Sequence, residues 1–293
     1  MKQSNILLLG SIALDTIETS HGRREDLLGG SATYAAISAG RFVKPNLVGI
    51  IGTDFPSAGK TILQNTCGNL DDLIEAEGPT FRWGGKYHEN GDDRDTLFTE
   101  LGVFADFSPS LSNENKNPDF IFLANIHPAL QLRVLDQCDN EPVVVTDTMN
   151  LWIATSKDDL LKVMKRTDIL LINESEVEDL SGMTDPGQSI KEIQSMGPKT
   201  VIVKHGSRGS ICYPENESFS IGVVPVETVI DPTGAGDSYG GGLVSGLAEG
   251  LTMKDAMIRG TAMASFCIED FGVTAILNAS DEDIASRISL LPS

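Results

Sequence analysis

A chain of 293 residues, 40% hydrophobic and 22% charged, is long enough to bury one large α/β core, and it shows neither low-complexity tracts nor repeats of solenoid length. Its formal net charge of −20 argues against a nucleic-acid binder, because a phosphate backbone would meet a repulsive field with no basic stripe to offset it. An anionic ligand must be held locally, by backbone amides, a few cations or a metal.

The opening stretch "MKQSNILLLGSIALD" has an apolar run too short to span a bilayer, and Asp15 interrupts a signal-peptide pattern, so a soluble, cytoplasmic protein is expected. Short aliphatic and β-branched runs follow along the chain: "NILLLG", "NLVGIIG", "DFIFLA", "PVVVTD", "DILLIN" and "TVIVKHG". Each is nearly all apolar, as expected of strands buried on both faces of a parallel sheet. Helix-like segments lie between several of them, among them "SATYAAISAGRF", "PALQLRVLDQC" and "SKDDLLKVMKRT". The alternation predicts a doubly wound α/β domain covering residues 1–293, with ligands at the carboxyl ends of the strands. Those ends carry Asp15, Asn125, Asp147, Asn173 and Lys204.

One region breaks the alternation. From Thr80 to Phe107, polar and apolar residues alternate around turn signals at Gly84-Gly85 and Glu89 to Asp93, which predicts a small antiparallel β appendage. It holds Phe81, Trp83, Tyr87, Phe98, Phe104 and Phe107, and it can serve as a cover over a site or pack on the core or on a second subunit. Period-two alternation would set Phe81 and Trp83 on one face as an apolar wall above a ligand. The cysteines Cys67, Cys138, Cys212 and Cys267 have no C-x-x-C spacing and read as reduced, structural thiols; the four dispersed histidines read as structural too.

Two phosphate-binding signals fail on inspection. "GTDFPSAGKT" ends like a P-loop at Gly59-Lys60-Thr61, but Asp54 stands where that loop needs its first glycine, and Lys60 is expected on a solvated helix face. "LLLGSIALD" has one glycine where a dinucleotide fingerprint needs three. The stretch "DPTGAGDSYGGG", Asp231 to Gly242, is different. Gly234, Ala235 and Gly236 lead directly into a helix whose first N–H groups and positive dipole end form an anion site. Asp237 at that helix start can take a proton from an attacking hydroxyl, or it can simply cap the helix behind a tight turn. The glycine run Gly240 to Gly242 costs a helix interior about 1 kcal/mol per residue.

"DPTGAGDSYGGG" resembles the C-terminal signature of the ribokinase-like (PfkB) carbohydrate kinase family, D-x-x-G-A-G-D-x-F-x-x-G, with Tyr239 in place of the phenylalanine. The resemblance covers essentially the whole chain. "GSIALD" is similar to the family's first strand and substrate-binding aspartate, here Asp15. "GGSATYAAISAGRF" resembles its glycine-pair signature at Gly29 and Gly30, and "VGIIGTDF" the segment that follows. "NESE" matches N-x-x-E at Asn173 and Glu176, and "VKHGSRG" the nucleotide-contacting strand end and glycine loop, with Lys204, Gly206 and Gly209.

The resemblance implies a doubly wound, mostly parallel sheet flanked by helices, with a small β-sheet lid from about residues 12–30 and 80–107. It implies transfer of the ATP γ-phosphoryl group to a hydroxymethyl group of a small sugar or ribonucleoside. Asp237 would be the general base, and the amides of Gly234, Ala235, Gly236 and Asp237 the anion hole. Asn173 and Glu176 would order water and Mg²⁺ around the phosphates. Close approach of a nucleotide would account for the glycine run Gly240 to Gly242. Asp15, Gly29, Gly30 and Asn150 would orient the acceptor. A monovalent cation is a further cofactor candidate, and the lid a homodimer surface. The alternative is a catalytically silent nucleotide or sugar sensor on the same fold. "DTMNLW" lacks the arginine that sugar kinases often carry after the asparagine, and Ser31 follows the glycine pair, so the acceptor departs from the family pattern more than the chemistry does.

Overall fold

The computed structural model describes residues 4–88 and 94–291; the turn expected at Glu89 to Asp93 lies outside the described residues. The strands are β1 (Ile6–Leu9), β2 (Ala13–Thr19), β3 (Gly22–Gly29), β4 (Asn46–Gly52), β5 (Leu73–Ala76), β6 (Arg82–Tyr87), β7 (Arg94–Glu100), β8 (Phe120–Leu123), β9 (Val143–Asp147), β10 (Ile169–Asn173), β11 (Thr200–Lys204), β12 (Ser210–Tyr213) and β13 (Phe219–Ile221). Nine of them form one sheet in the order β13-β12-β11-β10-β9-β8-β1-β4-β5. From β11 to β5 all neighbours are parallel, and β12 and β13 add an antiparallel edge.

The six aliphatic runs read from the sequence are β1, β4, β8, β9, β10 and β11. Their near-continuous hydrophobicity follows from burial on both faces. Ile6, Leu8, Val145, Leu171 and Ile202 pack into one core cluster, while Leu7, Leu9, Ile121, Leu123 and Val144 point into another, as period-two alternation requires. From β1 the chain first builds outward through β4 and β5, then returns to β8 on the other side. The order therefore reverses between β1 and β8, and a crevice opens at their carboxyl ends.

The helix Ala235–Ala248 crosses beneath this crevice, and its glycine run has a different cause from the expected one. A β-carbon on Gly240 would lie 2.2 Å from Phe122 Cζ, one on Gly241 2.2 Å from the Ala35 carbonyl, and one on Gly242 2.9 Å from Gly260 Cα. The run therefore serves close packing against β8 and the helices Ser31–Gly40 and Met253–Cys267, and the ligand-facing glycines are the earlier ones.

A second sheet, order β3-β2-β6-β7, is the lid. Its central pair β2 and β6 is parallel, and the outer pairs are antiparallel. The lid strands end at Glu100. Phe104 and Phe107, beyond that point, pack on the main-sheet cluster, because the chain turns there into the short 3-10 helix Gly102–Asp106. At the crossing into β6, Asp54 accepts from Thr80 N and Thr80 Oγ1, both at 2.7 Å, and Arg82 bridges Asp54 to Asp26 of β3. All four cysteines are free, and no helix among the described residues is long and apolar enough to cross a membrane.

Candidate active site

Two elements meet in the crevice from opposite sides. On one side Gly30 caps the helix Ser31–Gly40 with φ 89°, and a β-carbon on Gly29 would lie 1.9 Å from Asp15 Oδ2, so only glycine lets this carboxylate lie against the turn. Asp15 is 3% exposed. Burial pushes its carboxyl up to about 8, with the Gly30 N–H opposing and the Asp231 and Asp237 charges adding to the rise. Ser31 Oγ donates to the Asn125 carbonyl at 2.8 Å, which ties the end of β8 to the same wall. Asn125 Oδ1 accepts from Trp152 Nε1 at 2.8 Å.

Opposite stands the start of the helix Ala235–Ala248. Gly234 is its N-cap at φ 75°, and a β-carbon there would run into the Tyr34 ring at 2.3 Å. Asp231, fully buried, accepts from Thr233 N and Gly272 N and so shapes the loop that enters this turn. The first backbone bond inside the helix is Ser238 N to Gly234 O, and among the described residues Gly236 N and Asp237 N have no backbone carbonyl as partner. These amides and the dipole make an anion site. Burial pushes the Asp237 carboxyl up to about 7, with Asp147 adding to the rise and Lys204 and Arg94 opposing it. A carboxyl tuned to that range suits general-base work near neutral pH.

Beside the helix start lies a cluster of charges at the ends of β9, β10 and β11. Lys204 Nζ meets both Asp147 carboxylate oxygens at 3.1 Å. Burial would push the Lys204 ammonium down, but Asp147, Glu176 and Asp237 hold it above the usual lysine value. Asn173 and Glu176 form a capping box on the helix Glu174–Ser181: Asn173 Oδ1 accepts from Glu176 N and Glu176 Oε2 from Asn173 N, both at 2.9 Å. Burial pushes the Glu176 carboxyl up to about 7, opposed first by Lys204.

A cavity of about 620 Å³ opens beside this cluster, from Tyr87 and His88 of the lid to Lys204, Gly209 and Gly236. Its far wall is apolar, with Val223, Val226, Val229 and Ile268. Gly206 lines it as well, so Lys204, Gly206, Gly209 and Gly236, four of the residues expected to meet a nucleotide, border one space, while Asn173 and Gly234 are not among its lining residues. Among the described residues no group of three or more His, Cys, Asp or Glu side chains could hold a metal by itself. A Mg²⁺ would have to arrive on ligand phosphates, which is how that ion is commonly held.

Not every expected residue joins the site. Asn150 is exposed, and its amide donates to Asp179 at 2.9 Å. Lys60 pairs with Glu75 at the edge strand β5 and does not line the 620 Å³ cavity, which speaks against the P-loop reading. Phe81 precedes β6 and stacks on Phe104 at 5.3 Å, so it does not share a wall with Trp83. Trp83 alone stays on the lid, opposite Asp15 in the β2/β6 register. Sequence reasoning placed Asp147 only at a ligand-facing strand end, and gave no role to Arg94 or Tyr34. Arg94 comes from β7, its guanidinium 5.6 Å from the Trp83 ring centroid and its charge acting on Asp237 and Glu176. No local motif marks it; only the pairing of β6 with β7 brings it there.

Comparison with known proteins agrees with this geometry. Residues 85–279 match the family described as pfkB family carbohydrate kinase. The cytidine kinase of Thermococcus kodakarensis is 26% identical over 92% of this chain and 97% of its own length, and the nucleoside kinase of Methanocaldococcus jannaschii is 26% identical over 87% and 83%. The crystal structure of the M. jannaschii nucleoside kinase superposes with a TM-score of 0.80 over 98% of both chains at 22% identity. A putative ribokinase II from E. coli, in complex with ATP and Mg²⁺, gives 0.83 at 21% identity, covering 98% of this chain and 99% of its own. The chain belongs to the pfkB family of carbohydrate kinases.

Proposed function

We propose that the protein transfers the γ-phosphoryl group of MgATP to the hydroxymethyl group of a ribonucleoside. The observation that carries the reading is Asp237, a carboxyl with its pKa near 7 at an anion-binding helix start, close enough to the buried Asp15 carboxyl for its charge to act on it. Asp15, against the Gly29-Gly30 turn, hydrogen-bonds acceptor hydroxyls and fixes the orientation of the reacting one. Asp237 takes the proton from that hydroxyl as the new bond forms. The amides of Gly236 and Asp237 and the Lys204 ammonium stabilise charge on the transferring group, so catalysis is mainly positioning and neutralisation. The cavity fits a nucleotide: apolar wall for the base, glycines and Lys204 at the phosphate end. Bound Mg²⁺ would supply charge neutralisation between the phosphates, with Glu176 and Asn173 ordering its water.

A nucleoside acceptor is supported by the relatives named cytidine and nucleoside kinase, which align over most of both lengths. Trp83, opposite Asp15 on the lid, can stack on a base, a contact worth about 1–3 kcal/mol in single-strand binders. ADP release with MgATP and, in turn, cytidine, adenosine, inosine, ribose, fructose and inositol tests the reading. A nucleoside should give the highest kcat/KM. A free sugar in first place would overturn the acceptor assignment, and absence of acceptor-dependent ADP would match a silent sensor.

A further inference from the structure

Asp147 ends β9 and is 5% exposed. Its carboxylate is fixed on three counts: both oxygens accept from Lys204 Nζ at 3.1 Å, and Oδ1 also accepts from Thr148 N at 3.0 Å. On its other side the ammonium stands against the first turn of the helix Ala235–Ala248. A β-carbon on Gly236 would lie 3.1 Å from Lys204 Nζ, and the only other atom it would approach is Lys204 Cε at 4.0 Å. The charge therefore lies beside Gly236, in the turn where the Gly236 and Asp237 amides have no backbone partner among the described residues.

A lysine has a flexible four-carbon stem and sheds its proton readily when buried without a counter-charge. Among the described residues Asp147 is the one side chain bonded to Lys204 Nζ. Glu176 is engaged with Asn173 N. The pair is not required as a clasp between strands, since the β10 ladder already joins β9 to β11. Buried ion pairs are also poor net stabilisers compared with apolar residues of similar volume.

We propose that Asp147 is a positioning residue for phosphoryl transfer: it holds the Lys204 ammonium beside Gly236, so that the ammonium and the helix-start amides bind the same transferring group. The inference rests on the reading of Gly234 to Asp237 as the phosphoryl site. Acting through Lys204, Asp147 should add little to phosphoryl transfer once that lysine is gone; because its charge also raises the Asp237 carboxyl, the variants are compared at a pH above 8, where Asp237 is ionised with or without it.

The test compares Asp147→Asn, Lys204→Met, the double variant and Asp237→Asn, each with MgATP and the best acceptor of the panel above. kcat, both KM values and Tm are measured. Asp147→Asn should lower kcat on the order of 10²-fold, as loss of one preorganised electrostatic contact does, with acceptor KM within about threefold of wild type. The double variant, neutral and nearly isosteric, should stay within about threefold of Lys204→Met in kcat and melt no lower than either single variant. A double variant that loses the product of the two single effects, or an Asp147→Asn enzyme with kcat within about threefold of wild type, overturns the proposal. Should a single variant fail to fold, Asp147→Glu decides: it keeps the charge, displaces it by a methylene, and should lower kcat at least tenfold, whereas a wild-type kcat refutes the role. An active Asp237→Asn enzyme would instead discredit the phosphoryl-site reading itself.

Discussion

The two walls of the crevice are built by different means. The phosphate-facing wall is mostly backbone and fixed charge: a helix start, glycines at positions where a side chain would collide, and carboxylates and a lysine at neighbouring strand ends. The acceptor-facing wall is assembled from distant pieces, with Asp15 from β2, Asn125 after β8, Trp83 and Arg94 from β6 and β7 of the lid. Phosphoryl chemistry requires the same charges whatever the acceptor, so the first wall tolerates little variation. The second can change side chain by side chain without touching the chemistry.

That contrast predicts a graded series of effects. Gly234→Val attacks the first wall where it has no slack. A branched side chain at φ 75° would strike the Tyr34 ring, and activity should fall by at least ~10³-fold, read as ADP release, because the whole anion site moves. Retention of a tenth of wild-type activity would show that the turn is not part of the phosphate site.

Proton chemistry on the same wall gives the next effect. The Asp237 carboxyl must be ionised to act, and its value near 7 lies above the ordinary aspartate range. kcat/KM for ATP should therefore be level above about pH 8 and fall at least tenfold per unit below about pH 6, more steeply if the Glu176 carboxyl, also near 7, must be ionised too. A profile flat down to pH 5 would rule out a raised base.

Trp83→Ala probes the second wall and should act on selectivity. Nucleoside kcat/KM should fall by about tenfold, matching the lower half of the stacking range, with ATP KM unchanged. An equal loss with ribose would place Trp83 in the lid's own packing with Ile17 and Tyr87 instead. Smallest of all, Lys60→Ala should change activity by less than about twofold, because that largely exposed pair with Glu75 is worth little and lies outside the lining of the nucleotide-sized cavity. A large loss would revive a P-loop site at Lys60.

The same division explains how much could be read from the sequence. Parallel strands buried on both faces leave aliphatic runs, so six strands of the main sheet are visible as written, whereas the short, partly exposed β5 and β13 leave no such run. On the phosphate wall the chemistry is local: Gly234 to Asp237 and Asn173 to Glu176 are contiguous, and the spacing itself encodes a helix start and a capping box. Arg94 and Tyr34 reach the site through tertiary pairing that no short window shows. Two expectations failed for related reasons. Asn150 follows Asp147 closely, yet the helix Asn150–Thr155 turns it outward to Asp179. Gly240 to Gly242 continue a ligand-binding motif, yet their task is to let three other elements pack close.

The central claim is that Asp237 removes the acceptor proton at the start of the helix Ala235–Ala248, and replacement of that one carboxylate tests it most directly. Asp237→Asn, nearly isosteric, should keep Tm within a few degrees and bind ATP with unchanged affinity by calorimetry. Its acceptor-dependent kcat should drop by the ~10²- to 10⁴-fold that a lost general base costs. A variant that binds ATP normally and keeps most of its turnover would contradict the account, leaving Asp237 as a cap on its helix and the base elsewhere.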